Sequence, residues 1–226
     1  MFGSAIENDG FAIIPEVLSS LEVGGLVEGL SLAAGRRSRA GIRHALELTF
    51  VAELARRPKL LESARAVLGP AAFPFHATLF DKSSRSNWLV AWHQDTALPV
   101  RECREVEGWG PWSVKEGVVY VHAPATALSQ FLALRVHVDD STAVNGPLRL
   151  LPSTHTLGVL NDDRIHELST SIAPVEGVVP AGGVLAMRPL LVHASSKSKA
   201  DRERRVLHIE YAASPSITTP LQLAVT

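Results

Sequence analysis

From residue 73 onward the chain is a succession of short β-rich runs broken by turn residues, and no other property narrows its fold so far. The runs are Phe73 to Phe80, Trp88 to Asp95, Gly117 to His122, Phe131 to Val138, Pro147 to Leu151, Gly183 to His193 and Arg205 to Ala212. Asn145-Gly146, Gly182-Gly183 and proline-bearing segments lie between them. Many short strands punctuated in this way argue a β-sandwich or jelly roll. The first seventy residues keep another period. After the short apolar strand Phe11-Ala12-Ile13-Ile14, which ends at Pro15, Ser19-Ser20 offers a cap for a helix through Leu21, Leu26 and Leu30, although Gly24-Gly25 weakens it. Leu46, Phe50 and Leu54, then Leu60, Leu61, Ala64, Val67 and Leu68, predict further helix, interrupted near Pro58 and stopped at Gly69-Pro70. The expected architecture is mainly β, with N-terminal helices covering one sheet.

A chain of 226 residues, 46% hydrophobic, can bury one sizeable core, and no repeat, low-complexity tract or linker divides it, so residues 1–226 read as one domain. Its 22 Lys+Arg against 23 Asp+Glu set up no global field toward nucleic acid or anionic lipid, which points to a small-molecule partner. Cys103 is the only cysteine, so an intrachain disulfide is excluded. The first nine residues carry neither a basic nor an apolar leader segment, and no run of about 18 apolar residues occurs, so the expected location is the cytoplasm.

Chemistry enters at Trp92-His93-Gln94-Asp95. Side chains at i and i+2 of a strand share a face, so His93 and Asp95 can grip one metal ion, and His193 from a distant strand completes a two-His-one-carboxylate set of the kind that suits non-haem iron(II). With nine histidines in the chain, an isolated HxD is common by chance; register strengthens it. Alternation puts Asn87, Leu89, Ala91, His93 and Asp95 on an inward face and packs Trp88, Val90 and Trp92 away. Arg204 opens the strand Val206 to Tyr211, with Arg205 turned to the opposite face; a buried Arg204 needs a partner, and an incoming carboxylate is a candidate. Arg135 shares a strand face with His137 and reads equally as a core residue paired with Asp139 or Asp140, while His155 and His208 read as structural. The segment from about Val100 to Lys115, with Trp109 and Trp112 in a glycine-rich setting, is long for a passive connection and reads as a lid, with Lys82 facing the same entrance. Anchoring of both tryptophans to the sandwich is an equal alternative.

These residues resemble the phytanoyl-CoA dioxygenase-like group of iron(II)/2-oxoglutarate oxygenases. Asp9 to Pro15 is similar to that family's opening strand, Leu79-Phe80-Asp81-Lys82 through Trp92-His93-Gln94-Asp95 to its metal-binding segment, and Asn145 to His155 to its NG-x-L-x-x-x-PGSH stretch. His193, Ser195 and Arg204 match its distal H-x-S motif with an arginine eleven residues on. Ser153-Thr154 and Ala194 depart from the usual pattern. The resemblance implies a double-stranded β-helix, with His93, Asp95 and His193 as iron ligands. It further implies that Arg204, supported by Ser195, receives the far carboxylate of 2-oxoglutarate, and that Arg135 is a weaker contact to it. Dioxygen, 2-oxoglutarate and a small molecule would then yield a hydroxylated product, succinate and carbon dioxide; a carboxylate at Asp95 favours hydroxylation over halogenation. The alternatives are a cupin-like divalent-metal enzyme that takes no 2-oxoglutarate, and a jelly roll that binds a ligand without catalysis.

Overall fold

The computed structural model describes residues 2–36, 38, 41–83, 86–218 and 221–226. Helices α1 (Phe2–Asn8), α2 (Ser20–Leu32), α3 (Thr49–Ala55) and α4 (Pro58–Leu68) precede most of the sheet structure, and α5 (Ala125–Leu128) and α6 (Asp162–Ser171) interrupt it. The strands are β1 (Phe11–Ile14), β2 (Gly41–Ile42), β3 (Phe73–Lys82), β4 (Val90–His93), β5 (Ala97–Val100), β6 (Trp112–Lys115), β7 (Val118–His122), β8 (Phe131–His137), β9 (Leu148–Leu150), β10 (Val175–Gly177), β11 (Val184–Met187), β12 (His193–Ser195), β13 (Arg204–Ala212), β14 (Ser216–Thr218) and β15 (Leu221–Gln222).

Two antiparallel sheets face each other across the site: a six-stranded one in the order β1-β11-β8-β13-β3-β2 and a four-stranded one in the order β10-β9-β12-β4. A three-stranded sheet, β5-β7-β6, extends one end. This is the double-stranded β-helix. α2 survives Gly24-Gly25 because Ser19 and Glu22 form a full capping box, satisfying the first free N–H groups, and because Leu26 and Leu30 are buried. Pro58 occupies the first turn of α4, where no N–H is needed.

The helices cover the outer face of the larger sheet. Leu79 of β3, Leu134 of β8 and Leu207, Ile209 and Tyr211 of β13 pack with Leu30, Leu54 and Leu60 in one buried cluster, and the Tyr211 hydroxyl donates to Ala55 O at 2.7 Å. Alternation along β13 therefore sends Arg204, Val206, His208 and Glu210 inward.

One sequence expectation is corrected here, and one element is added that the sequence reading did not contain. The run Gly183 to His193 is not one strand: β11 belongs to the six-stranded sheet and β12 to the four-stranded one, with the chain crossing between them at Arg188–Val192. Pro189 cannot donate to a ladder, and the Arg188 N–H is taken by Gly10 O, so pairing breaks there. Helix α6 carries no apolar stripe long enough to stand out in the sequence. Its signals are the Asn161 cap, which accepts from Arg164 N, and Asp162 and Asp163 in the first turn.

Candidate metal centre

β12 lies between β9 and β4, with His193 directly opposite His93. The pairing shifts beyond that point: Ser195 faces Val90, so three steps along β4 match two along β12. That bulge overrides strict alternation. Val90 and His93 both turn inward, Trp88 joins them in lining the pocket, Leu89 is 64% exposed, and Trp92 packs outward against α6 residues Ile165 and Leu168. The expected inward face was right for His93 and Asp95 and wrong for Trp88, Val90, Leu89 and Ala91.

Asp95 lies just past the strand, held by its N–H to Pro189 O at 2.9 Å. Between the two candidate ligands, Gln94 is buried and pinned: its amide donates to Gly158 O and Leu190 O, and its oxygen accepts from Leu160 N. The three side chains converge. His93 Nε2 is 3.5 Å from Asp95 Oδ1, His193 Nε2 is 3.6 Å from Asp95 Oδ2, and one ligand atom from each lies within 4.8 Å of the others. Both imidazoles are oriented from behind, His93 Nδ1 bonding Ala91 O and His193 Nδ1 bonding Leu191 O, each at 2.8 Å. With the proton on Nδ1, each Nε2 presents a lone pair to the common point, the arrangement that metal-binding histidines use. This donor set fits a divalent metal with open coordination positions.

The electrostatics agree. Burial holds His193 down to about 4, keeping it neutral. Burial works against the His93 cation too, but the adjacent Asp95 carboxylate outweighs it and raises the pKa. Burial alone would raise Asp95; the two histidines beside it hold it far below the usual carboxylate range.

The triad opens into a pocket of about 120 Å³ that also contains Phe80, Lys82, Arg135, Leu148, Ser195, Arg204 and His208. Arg204 is 3% exposed, and its Nε donates to Asn145 O at 3.2 Å. Ser195 Oγ donates to Gly146 O at 2.9 Å and accepts from Lys82 Nζ at 2.7 Å, and Lys82 also donates to Ser196 O. The turn supplying both carbonyls is tight: Gly146 has φ +71, and a Cβ there would sit 2.4 Å from Ser196 O. Arg135 donates to His208 Nδ1 at 2.9 Å and lies over the Phe80 ring. Thus three cations share one small space, and none of them forms an ion pair among the described residues. Burial, then Arg204 and Arg135, push Lys82 down to about 7; burial lowers Arg135 and Arg204 to about 10 each. Such a cluster of cations suits a dianion.

Several assignments change. Arg135 does not pair with Asp139 or Asp140; Asp139 makes a bidentate bridge to Arg205, both bonds 2.8 Å, on the other side of β13. Lys82 does not face the entrance, being fully buried beside Arg204, its register partner across β3 and β13. His208 is a pocket residue rather than a structural one, a role that counting in twos from Arg204 would have found. Neither Trp109 nor Trp112 lines the pocket: both pack against the cluster of Phe75, Leu98, Val121 and Phe131, and Trp112 is in β6, so they anchor this segment. The loop reaches the metal side through Gly108, Gly110 and Pro111, which line a neighbouring cleft of about 410 Å³ with His93, Thr96 and His122.

Comparison with known proteins gives the same picture. The family model described as Phytanoyl-CoA dioxygenase (PhyH) matches residues 6–206. An L-proline trans-4-hydroxylase from Streptomyces griseoviridis is 25% identical over 90% of this chain and 82% of its own length. Among solved structures, the epimerase SnoN, in complex with Fe3+, alpha ketoglutarate and nogalamycin RO, superposes with a TM-score of 0.73 at 19% identity, over 93% of this chain and 82% of that one. EctD from S. alaskensis, with 2-oxoglutarate and 5-hydroxyectoine, gives 0.69 at 19% identity, over 93% and 74%. At such identities the structural likeness establishes the fold.

Proposed function

Given that the chain belongs to the phytanoyl-CoA dioxygenase family, and so to the iron(II)- and 2-oxoglutarate-dependent oxygenases, we propose that it hydroxylates a C–H bond of a small molecule, releasing succinate and carbon dioxide. In this reading His93, Asp95 and His193 hold the iron. Arg204, Lys82 and Ser195 receive the far carboxylate of 2-oxoglutarate, and Arg135 adds positive charge along its length. The observation that carries the reading is the adjacency of two unlike sites: three metal-competent ligands, and three buried cations that form no ion pair among the described residues. A metal enzyme of the cupin kind, taking no 2-oxoglutarate, would have no use for the second.

Iron, when bound with 2-oxoglutarate, supplies dioxygen activation coupled to oxidative decarboxylation. The chain's part is to bind, orient and exclude water. Backbone carbonyls of Ala91 and Leu191 fix the imidazole rings, and those of Asn145 and Gly146 fix Arg204 and Ser195. Trp88, Val90, Phe80 and Leu148 give the pocket apolar walls, in which the cations act at low dielectric. These groups come from strands of two sheets and from the segments that join them, which supports reading residues 1–226 as a single oxygenase domain.

The L-proline hydroxylase relative makes free L-proline the first substrate to try. Protein supplied with iron(II), 2-oxoglutarate and air is expected to convert 2-oxoglutarate to succinate, and faster when the right small molecule is added. Absence of 2-oxoglutarate binding in the presence of iron would sink the reading.

A further inference from the structure

Beyond His208 the inward face of β13 carries one more polar side chain, Glu210, which nothing in the site so far uses. Its register partners are His76 on β3 and Ala133 on β8. The side chain is only 12% exposed and forms no hydrogen bond among the described residues; His76 Nε2 lies 3.9 Å from its Oε2. His76 cannot serve as a counter-charge, because burial and the nearby His44 hold it down to about 3. Its Nδ1 bonds Thr226 Oγ1 at 2.6 Å and its Nε2 pairs with Thr78 Oγ1 at 3.3 Å, so with Nδ1 donating no ring proton is left for Glu210. Tyr120, the next polar group, has its hydroxyl engaged with His44 Nε2 at 3.0 Å. Burial, then the charge of Asp95, push the Glu210 carboxyl up to about 8. Held above neutrality, the group is mostly the neutral acid in the free protein, and a cation brought beside it would restore the carboxylate.

Its place in the fold says what that is. Along β13 and β3 the inward pairs run Arg204 with Lys82, His208 with Thr78, then Glu210 with His76. At about 3.3 Å per residue, Glu210 is roughly 20 Å from Arg204 along the strand and about 7 Å from His208. His208 lines the pocket of the metal triad. The row thus passes from a cationic end, across the triad, to an acidic end. If 2-oxoglutarate takes the first, the primary substrate meets the second.

We propose that Glu210 is the recognition residue for the primary substrate, and that this substrate is a small molecule bearing a protonated amine whose N–H donates to the Glu210 carboxylate. The inference rests on the oxygenase reading above and narrows its substrate class.

The test uses the iron(II)/2-oxoglutarate complex and a panel of small amino acids and cyclic amines, L-proline included, each supplied as the free amine and as its neutral N-acetyl derivative. Binding is measured by calorimetry without dioxygen, and turnover by succinate release. The expected result is that compounds which bind and accelerate succinate release do so as free amines, with N-acetylation weakening binding roughly a hundred-fold. Glu210→Gln should weaken the same amines by a similar factor while 2-oxoglutarate binds as before, and Glu210→Asp should recover part of the loss. Equal binding of the N-acetyl compounds, undiminished amine binding by Glu210→Gln, or no amine bound by a protein that binds 2-oxoglutarate would each overturn the proposal and leave the oxygenase reading intact. Failure of the unaltered protein to bind 2-oxoglutarate would overturn that reading instead. Should Glu210→Gln not fold, the free-amine and N-acetyl comparison on the unaltered protein decides.

Discussion

The two faces of β13 have opposite characters. Outward, Leu207, Ile209 and Tyr211 are fully buried against Leu79, Leu134 and the N-terminal helices. Inward, at alternate positions of the same strand, Arg204 and His208 join Lys82 and Arg135 in one small pocket, and Glu210 follows two residues beyond His208. The outer face stabilises the fold through apolar burial; the inner one strains it, since Lys82, Arg135 and Arg204 repel one another and all have depressed pKa values. One strand can do both because its side-chain period is two. Tolerance of mismatched charge at the site thus depends on packing a few ångströms away, and substitutions on the two faces should separate activity from stability.

The largest effect belongs to the inner side of the molecule. Asp95→Ala is expected to abolish succinate formation and reduce bound iron to trace levels, with melting of the metal-free protein nearly unchanged; persistent turnover would remove Asp95 from the site. Next is Arg204→Ala, which should weaken 2-oxoglutarate binding by about two to four decades, equivalent to roughly 3 to 5 kcal/mol, while iron binding stays nearly intact. Its neighbour gives the contrast: Arg205→Ala, breaking the Asp139 bridge, should leave 2-oxoglutarate affinity alone and cost about 1 to 2 kcal/mol of stability. Reversed outcomes would mean that the register is displaced by one. On the outer face, Leu207→Ala should cost about 2 to 5 kcal/mol in denaturant melts and spare KM for 2-oxoglutarate. The smallest effect is a pH slope. Lys82, depressed to about 7, is already charged below that value, whereas above it binding a dianion must draw in a proton. The affinity for 2-oxoglutarate should therefore fall as pH rises from 7 to 9, by at most about tenfold per unit, and Lys82→Met should flatten the slope.

The candidate metal triad and the buried Arg204 were legible because their spacing is local: H-x-D at the end of one strand, and an arginine at a fixed distance from His193. The jelly roll was legible from turn chemistry, and α2, α3 and α4 from a 3.6-residue period, while α1, α5 and α6 were not. What escaped depends on pairing between distant segments. Lys82 is buried because β3 runs beside β13, and no pattern around residue 82 announces it. Trp88 and Val90 turn inward because of a bulge defined by two strands a hundred residues apart. Trp109 and Trp112 sit in a glycine-rich stretch that reads as loose, yet the partner that fixes them, β7, follows them in the chain. Glu210 is the instructive omission, since alternation from Arg204 leads to it directly; its burial in a polar row became visible only with His76 beside it.

The Asn145-Gly146 turn has a consequence for anyone re-engineering this scaffold. Its consecutive carbonyls grip Arg204 and Ser195, and its glycine leaves no room for a side chain. Loop grafting, the usual way to give a jelly-roll enzyme a new specificity, has no freedom there, because one inserted residue would displace both anchors together. The exposed stretch 101–105, none of which lines the metal pocket, is where foreign sequence can be accommodated.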